Sequence, residues 1–258
     1  MKILSAEWLK TKRTFIRWFA FLTPIGFAVL ILWYFSLRAI TPDIQVAIYM
    51  GNFLTWTGLI IPVEAGLISG LIVHQEEVAG SFNGFLGSKV SKSSLYLGKL
   101  TILVLFSLCS TLLETIIIVA GTNYILNIPV SWPIFLSAAL MAVIGTLPLL
   151  ALHLWISFAW GMGASIGFGC GGALISSLMI TGLGDKIWQF VPWAWPARLS
   201  GLLAIYLPGI KVPSELSKFT LSQVFWLTTM KGLIPAGIFF IIMLVGGIIW
   251  FNRWEGRY

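Results

Sequence analysis

Charge is scarce in this sequence. Only 10% of its 258 residues are Asp, Glu, Lys or Arg, against about 25% in an ordinary soluble domain. With 58% of residues hydrophobic, a soluble globule of this length could not hide its apolar surface, and a soluble class is excluded. The net charge of +7 is not a nucleic-acid signature either, because the basic residues form no single run interleaved with aromatics. Cysteine is nearly absent. Cys109 and Cys170 both fall in apolar stretches, where a pair makes a poor disulfide and leaves the redox compartment open.

Catalytic and nucleotide-binding signatures are missing as well. No G-x-x-x-x-G-K-[ST] occurs, so the chain has no P-loop to cradle ATP phosphates, and any ATPase that drives it is another chain. His74-Gln-Glu-Glu-Val78 is not H-E-x-x-H, which disfavours a zinc protease. Gly163-Ala-Ser-Ile-Gly167 does match the G-x-S-x-G of serine hydrolases. However, His74 and His153 both precede it, and it enters a glycine-rich apolar run rather than a strand-to-helix elbow. Ser165 is therefore not expected to be a nucleophile, and the chain is read as a non-enzyme without cofactor or metal.

What the sequence has is length of apolar run. Six runs stand out, over residues 18–37, 53–73, 100–120, 134–159, 164–183 and 233–251. Each is near the ~20 residues that cross a ~30 Å hydrocarbon core. Only a helix satisfies its whole backbone within one such segment. The expected fold is an all-α polytopic membrane protein, a single transmembrane domain over 1–258 with six spans. The 13 tryptophans suit the membrane interface.

Basic residues set the orientation. With the termini inside, the inner segments hold Lys2, Lys10, Lys12, Arg13, Arg17, Lys89, Lys92, Lys99, Arg253 and Arg257. The outer ones hold Arg38, Lys186, Arg198, Lys211, Lys218 and Lys231, five of them spread over one long loop. The positive-inside rule predicts cytoplasmic termini. In the first segment, 1–17, residues Ile3, Leu4, Trp8 and Leu9 fit one face of an interfacial helix.

Two connections are long. In the inner one, 74–98, Val78, Phe82, Phe85 and Leu86 recur at helical spacing, preceded by Glu76 and Glu77, which suit a helix N-terminus. Gly80 and Gly84 weaken that helix but allow close approach. By periodicity alone it either lies on the membrane or docks into a groove of a soluble partner. The outer connection, 184–232, carries Trp188, Trp193 and Trp195 and several prolines, and is expected to hold short interfacial helices.

Intramembrane acids are expensive, at about 2.5–3.5 kcal/mol or more near a helix centre. Glu64 and Glu114 are therefore candidates for a substrate path, with a hydrogen-bonded structural acid as the other reading; His153 reads as an interhelical hydrogen-bonder. Gly163, Gly167 and Gly171 at four-residue spacing in the fifth run, with Gly66 and Gly70 in the second, predict a tight helix contact, within the chain or across a dimer.

These residues carry a resemblance. Ser5-Ala-Glu-Trp-Leu-Lys-Thr-Lys-Arg-Thr14 resembles the amphipathic entry of ABC-2 type permeases. Glu77-Val-Ala-Gly-Ser81, with Lys89, Ser91-Lys-Ser and Leu97-Gly-Lys99, resembles their coupling segment. Leu152-His-Leu-Trp-Ile-Ser157, Gly161-Met-Gly-Ala-Ser-Ile-Gly167 and Val191-Pro-Trp-Ala-Trp-Pro196 are similar to the lantibiotic immunity branch, the LanE/LanG type of MutG and EpiE. The family often has a proline before the coupling segment's basic residue; Gly87-Ser-Lys89 has none.

The resemblance implies an ABC-2 (type V exporter-like) permease subunit that expels a lantibiotic or similar antimicrobial peptide from the bacterial plasma membrane. It implies a separate ABC ATPase dimer carrying ATP and magnesium, and a second related permease in a heterodimer. It assigns coupling to Glu76, Glu77, Val78, Gly80, Phe82, Phe85 and Leu86. Glu64, Glu114, Trp193 and Trp195 become candidates for the cargo path. Export of another amphiphile (a lipid, a drug, a bacitracin-like peptide) and non-transporting peptide binding are the alternatives.

Overall fold

In a computed structural model, residues 2–12, 14–80, 82–87, 90–208, 210 and 218–256 are described. Arg13, Ser81, Ser88, Lys89, Lys211 and Arg257, used above, lie outside them.

The described residues form helices and turns, with no strand among them. In chain order the helices are α1 (Lys2–Lys10), α2 (Phe15–Ser36), α3 (Ile44–Thr55), α4 (Ile61–Val78), α5 (Asn83–Leu86), α6 (Lys92–Tyr124), α7 (Trp132–Trp160), α8 (Met162–Ile180), α9 (Trp195–Gly201) and α10 (Lys218–Arg253). Six segments are long and apolar enough to span a membrane: α2, the joined α3–α4, α6, α7, α8 and α10.

Most of these outrun the apolar runs. The second span reaches from Ile44 to Val78, because α3 and α4 are joined by a single π-helical stretch, Trp56–Ile60. That stretch widens the helix by one residue per turn. The flanking residues are too polar to count as apolar run, yet they continue the helix beyond the hydrocarbon depth. The first segment is shorter than 1–17: α1 ends at Lys10, and Arg17 already belongs to α2. Arg17 stacks its guanidinium 4.5 Å above the Trp8 ring and donates to the Trp8 carbonyl, satisfying an end group of α1.

Burial divides the spans. The α3–α4, α6 and α7 spans are 72%, 56% and 61% buried, whereas α2, α8 and α10 are 28%, 28% and 17%. The first three therefore form the centre and the others the rim, with α2 on α6, α8 on α4 and α10 on α7. Of the two glycine stripes, that of the second span makes the contact within the chain and that of the fifth does not. A Cβ on Gly163, Gly167 or Gly171 would meet nothing within 4 Å, so this stripe faces away from the chain. The close approach within the chain uses the opposite face of α8. A Cβ on Gly66 would lie 2.5 Å from the Ser165 carbonyl oxygen, and one on Gly169 would lie 2.7 Å from that of Pro62. Backbones that near leave no room for a side chain.

α7 and α8 meet at Gly161, whose φ of 89° lies in the left-handed region that glycine alone adopts freely. α1, α5, the end of α10 and this corner lie at one end of the bundle, here the terminus end. The connection 181–207 with α9 caps the far end.

Candidate functional site at the terminus end

The inner connection does not form the continuous amphipathic helix its periodicity predicts. α4 runs through to Val78 and stops; Gly80 has φ 127°. Phe82 takes φ 66°, unusual for a bulky residue, and only one helical turn follows. The reason is burial. Phe82 is 0% exposed and turns into the bundle, its ring 4.9 Å from Trp254; Phe85 lies 6.2 Å from Phe158 and 6.1 Å from Phe251. The four residues expected on one face are thus separated. Phe82 and Phe85 are plugged into an aromatic cage, Leu86 is half-buried, and Val78 is 72% exposed. What this tip offers a partner is Val78, Ala79, Gly80, Asn83 and Gly84, all exposed.

Beneath the tip lies a cluster of charges from three elements. Lys99 of α6 is 1% exposed, and its Nζ donates to Glu7 Oε2 at 2.9 Å and Glu76 Oε1 at 2.7 Å. Lys10 Nζ donates to Glu7 Oε1 and to Glu76 Oε1, both at 2.7 Å. Both ammonium groups sit over the Phe85 ring, at 4.9 Å and 5.5 Å from its centroid. Two acids and two bases thus cancel where α1, α4 and α6 meet, and the tip's own phenylalanine closes the cluster. A buried charge is tolerated only when paired and hydrogen-bonded, and here each one is. Burial pulls the Lys10 pKa down, but its bonds to Glu7 and Glu76 outweigh this and hold it above the usual lysine value. His74 lies 3.2 Å from Glu77 on the exposed flank of the same helix end.

Sequence reading placed Glu76 and Lys99 in the coupling segment and Glu7 and Lys10 in the N-terminal motif, and did not pair them. Lys99 carried the usable signal: a lysine at the edge of a 21-residue apolar run has to find an acid.

The mid-bundle acids behave differently. Glu64 is 5% exposed and Glu114 0%, both inside the chain's own packing. Ser110 lies beside Glu64, and Asn52 and Thr115 beside Glu114, with no basic side chain among the described residues bonded to either acid. Thr115 Oγ1 donates to Glu114 Oε2 at 3.2 Å. Glu64 lines a void of ≈ 10 Å³ shared with Ser107 and Thr146, room for about one water. Trp195 is 2% exposed and donates its indole N–H to the Gln189 carbonyl at 2.9 Å. Trp193 packs against Gly172. Of the four residues read as a cargo path, Glu64 lines this small void, Glu114 and Trp195 are buried in the chain's own packing, and Trp193 lies against Gly172.

His153 Nδ1 and Ser165 Oγ approach to 3.2 Å, so the fold brings together the pair a hydrolase would need. The chemistry does not follow. Ser165 is 0% exposed and donates its hydroxyl proton to the Gly66 carbonyl at 2.8 Å. That leaves His153 to donate to Ser165, which makes it a bridge between α7 and α8 rather than a base. No group of three or more metal-ligating side chains occurs among the described residues.

Six apolar spans, a short helix ahead of the first, and an exposed tip between the second and third define a membrane transport component. The family model for ABC-2 family transporter proteins matches residues 3–169, from α1 into α8. The chain belongs to that family, a class of multi-pass membrane permeases that work with an ABC ATPase. No curated protein and no solved structure matches it.

Proposed function

We propose that this chain is the permease subunit of an ABC exporter that expels a lantibiotic or similar antimicrobial peptide from a bacterial plasma membrane, giving immunity or resistance. Both termini are cytoplasmic in this reading, which puts the tip at 78–87 on the ATPase side. The observation that carries it is the tip itself: exposed at Val78–Gly80 and seated through Phe85 on the paired charges of α1, α4 and α6. A push on the tip is delivered to three helices at once. Nucleotide and magnesium belong to the ATPase dimer. A second, related permease completes a heterodimer, and the outward-facing Gly163, Gly167 and Gly171 are available for that contact.

The test is protection of a sensitive Gram-positive host. The chain is co-expressed with its neighbouring ATPase and permease genes and challenged with a lantibiotic panel, beside a hydrolysis-dead ATPase. Selective resistance that disappears with the dead ATPase is expected. No resistance to any peptide, with all subunits assembled, would remove the immunity reading. Stimulation of the ATPase by a lipid or drug would favour another amphiphile as cargo.

A further inference from the structure

At the far end, an open cleft of ≈ 820 Å³ lies between α10 and the connection that follows α8. Its wall is apolar: Phe190, Leu227 and Ile234 are all exposed there. Its charges are Asp185, Lys186 and Lys231. Asp185 is already engaged, accepting from Arg198 at 2.8 Å. Arg198 is held in turn by the carbonyls of Met179 and Thr181. Thr228 spends its hydroxyl on the Val224 carbonyl. Lys186 and Lys231 are both exposed, and neither makes an ion pair or side-chain hydrogen bond with a described residue.

Depth identifies the surroundings of these two lysines. Lys231 and Arg253 stand 22 residues apart on α10, or about 33 Å at 1.5 Å per residue. That matches a ~30 Å hydrocarbon core. With Arg253 at one headgroup layer, Lys231 is at the other, and Ile234 lies about one turn deeper. A lysine on a convex helix end merely snorkels among passing lipids. Here the two ammonium groups crown a concave apolar wall built from two elements, of a size typical of small-molecule sites.

We propose that this cleft holds one anionic glycerophospholipid, its phosphate between Lys186 and Lys231 and an acyl chain against Ile234. The same two charges repel a cationic peptide, so the cleft is a lipid seat rather than a cargo exit. The proposal does not depend on the export reading, and its test needs no ATPase.

The purified full-length chain would be incubated in detergent with equal amounts of dioleoyl phosphatidylglycerol and dioleoyl phosphatidylcholine, and retained lipid read by native mass spectrometry. Preferential retention of one phosphatidylglycerol is expected. It should fall about 20-fold in Lys186→Gln/Lys231→Gln, with melting unchanged because both side chains are exposed. Equal retention of the two lipids, or undiminished phosphatidylglycerol on the variant, would overturn the proposal. Displacement of the lipid by millimolar inorganic phosphate would make this a free-anion site. Nisin retained in place of the lipid would make it a peptide site. Either of those outcomes also overturns it.

Discussion

The terminus end and the middle of the bundle both bury carboxyl groups, and they solve the problem in opposite ways. Glu7 and Glu76 each bond to Lys10 and Lys99, all four bonds between 2.7 and 2.9 Å. Glu64 and Glu114 have hydroxyl and amide neighbours and no bonded cation. The paired cluster ties together three elements at the terminus end, and its charges neutralise one another, with Glu7, Glu76 and Lys99 buried and Lys10 part-exposed. The mid-bundle acids sit where only neutral neighbours are affordable, and there the helices are joined instead by bare backbone, Gly66 against Ser165 and Gly169 against Pro62. The comparison teaches that cohesion changes currency along one membrane helix: α4 is held by close backbone packing near Gly66 and by charge near Glu76.

The largest expected effect breaks the paired end. Lys99→Met leaves Glu7 and Glu76 short of a buried partner and should cost about 3–5 kcal/mol, read as lost melting temperature in detergent. Glu7→Gln/Glu76→Gln/Lys99→Met should recover most of that, since replacing a whole buried network by neutral groups is often harmless. Next comes the middle. Gly66→Ala drives a methyl to 2.5 Å from the Ser165 oxygen and should cost about 1–3 kcal/mol. Gly167→Ala, with open space at its Cβ, should stay within about 0.5 kcal/mol in the same assay. Also small is Glu64→Gln, below about 0.5 kcal/mol, because no bonded cation is abandoned; a loss as large as that of Lys99→Met would mean that Glu64 is paired after all.

The smallest effect is a pH dependence. Lys10 has its folded pKa raised above 10.5, so its contribution is complete below the unfolded value and is lost as pH rises through the folded one. Melting should therefore be insensitive to pH near neutrality, where the Lys10 contribution is fully present, and decline only above about pH 10.5. Lys10→Met should flatten that decline.

Much of the fold was legible. Six apolar runs, each long enough for a bilayer, lead directly to six helices, because membrane solvent admits little else. Helix ends were less so, since a run such as 53–73 reports hydrocarbon depth, whereas Ile44–Val78 is set by backbone continuity on both sides. The coupling segment misled because its spacing was real but served the wrong purpose: Phe82 and Phe85 are apolar to fill a cage with Phe158, Phe251 and Trp254, three residues remote in sequence. Periodicity reports that a face is buried, not what buries it. The glycine stripes were legible in part: Gly66 and Gly70 do approach α8, but four-residue spacing occurs on both faces of α8 and only packing shows which one α4 uses. Glu7, Lys10, Glu76 and Lys99 were each visible, and their meeting was not, because pairing across 92 residues is a tertiary fact.

The account rests on the exposed tip as the place where an ATPase takes hold. The direct measurement is co-purification of the ABC ATPase with the chain carrying Val78→Asp, a change at a 72% exposed position that leaves the buried phenylalanines untouched. The prediction is an unchanged melting temperature together with loss of the bound ATPase and of ATP-driven protection. A Val78→Asp chain that retains its ATPase and protects as well as the parent would contradict it.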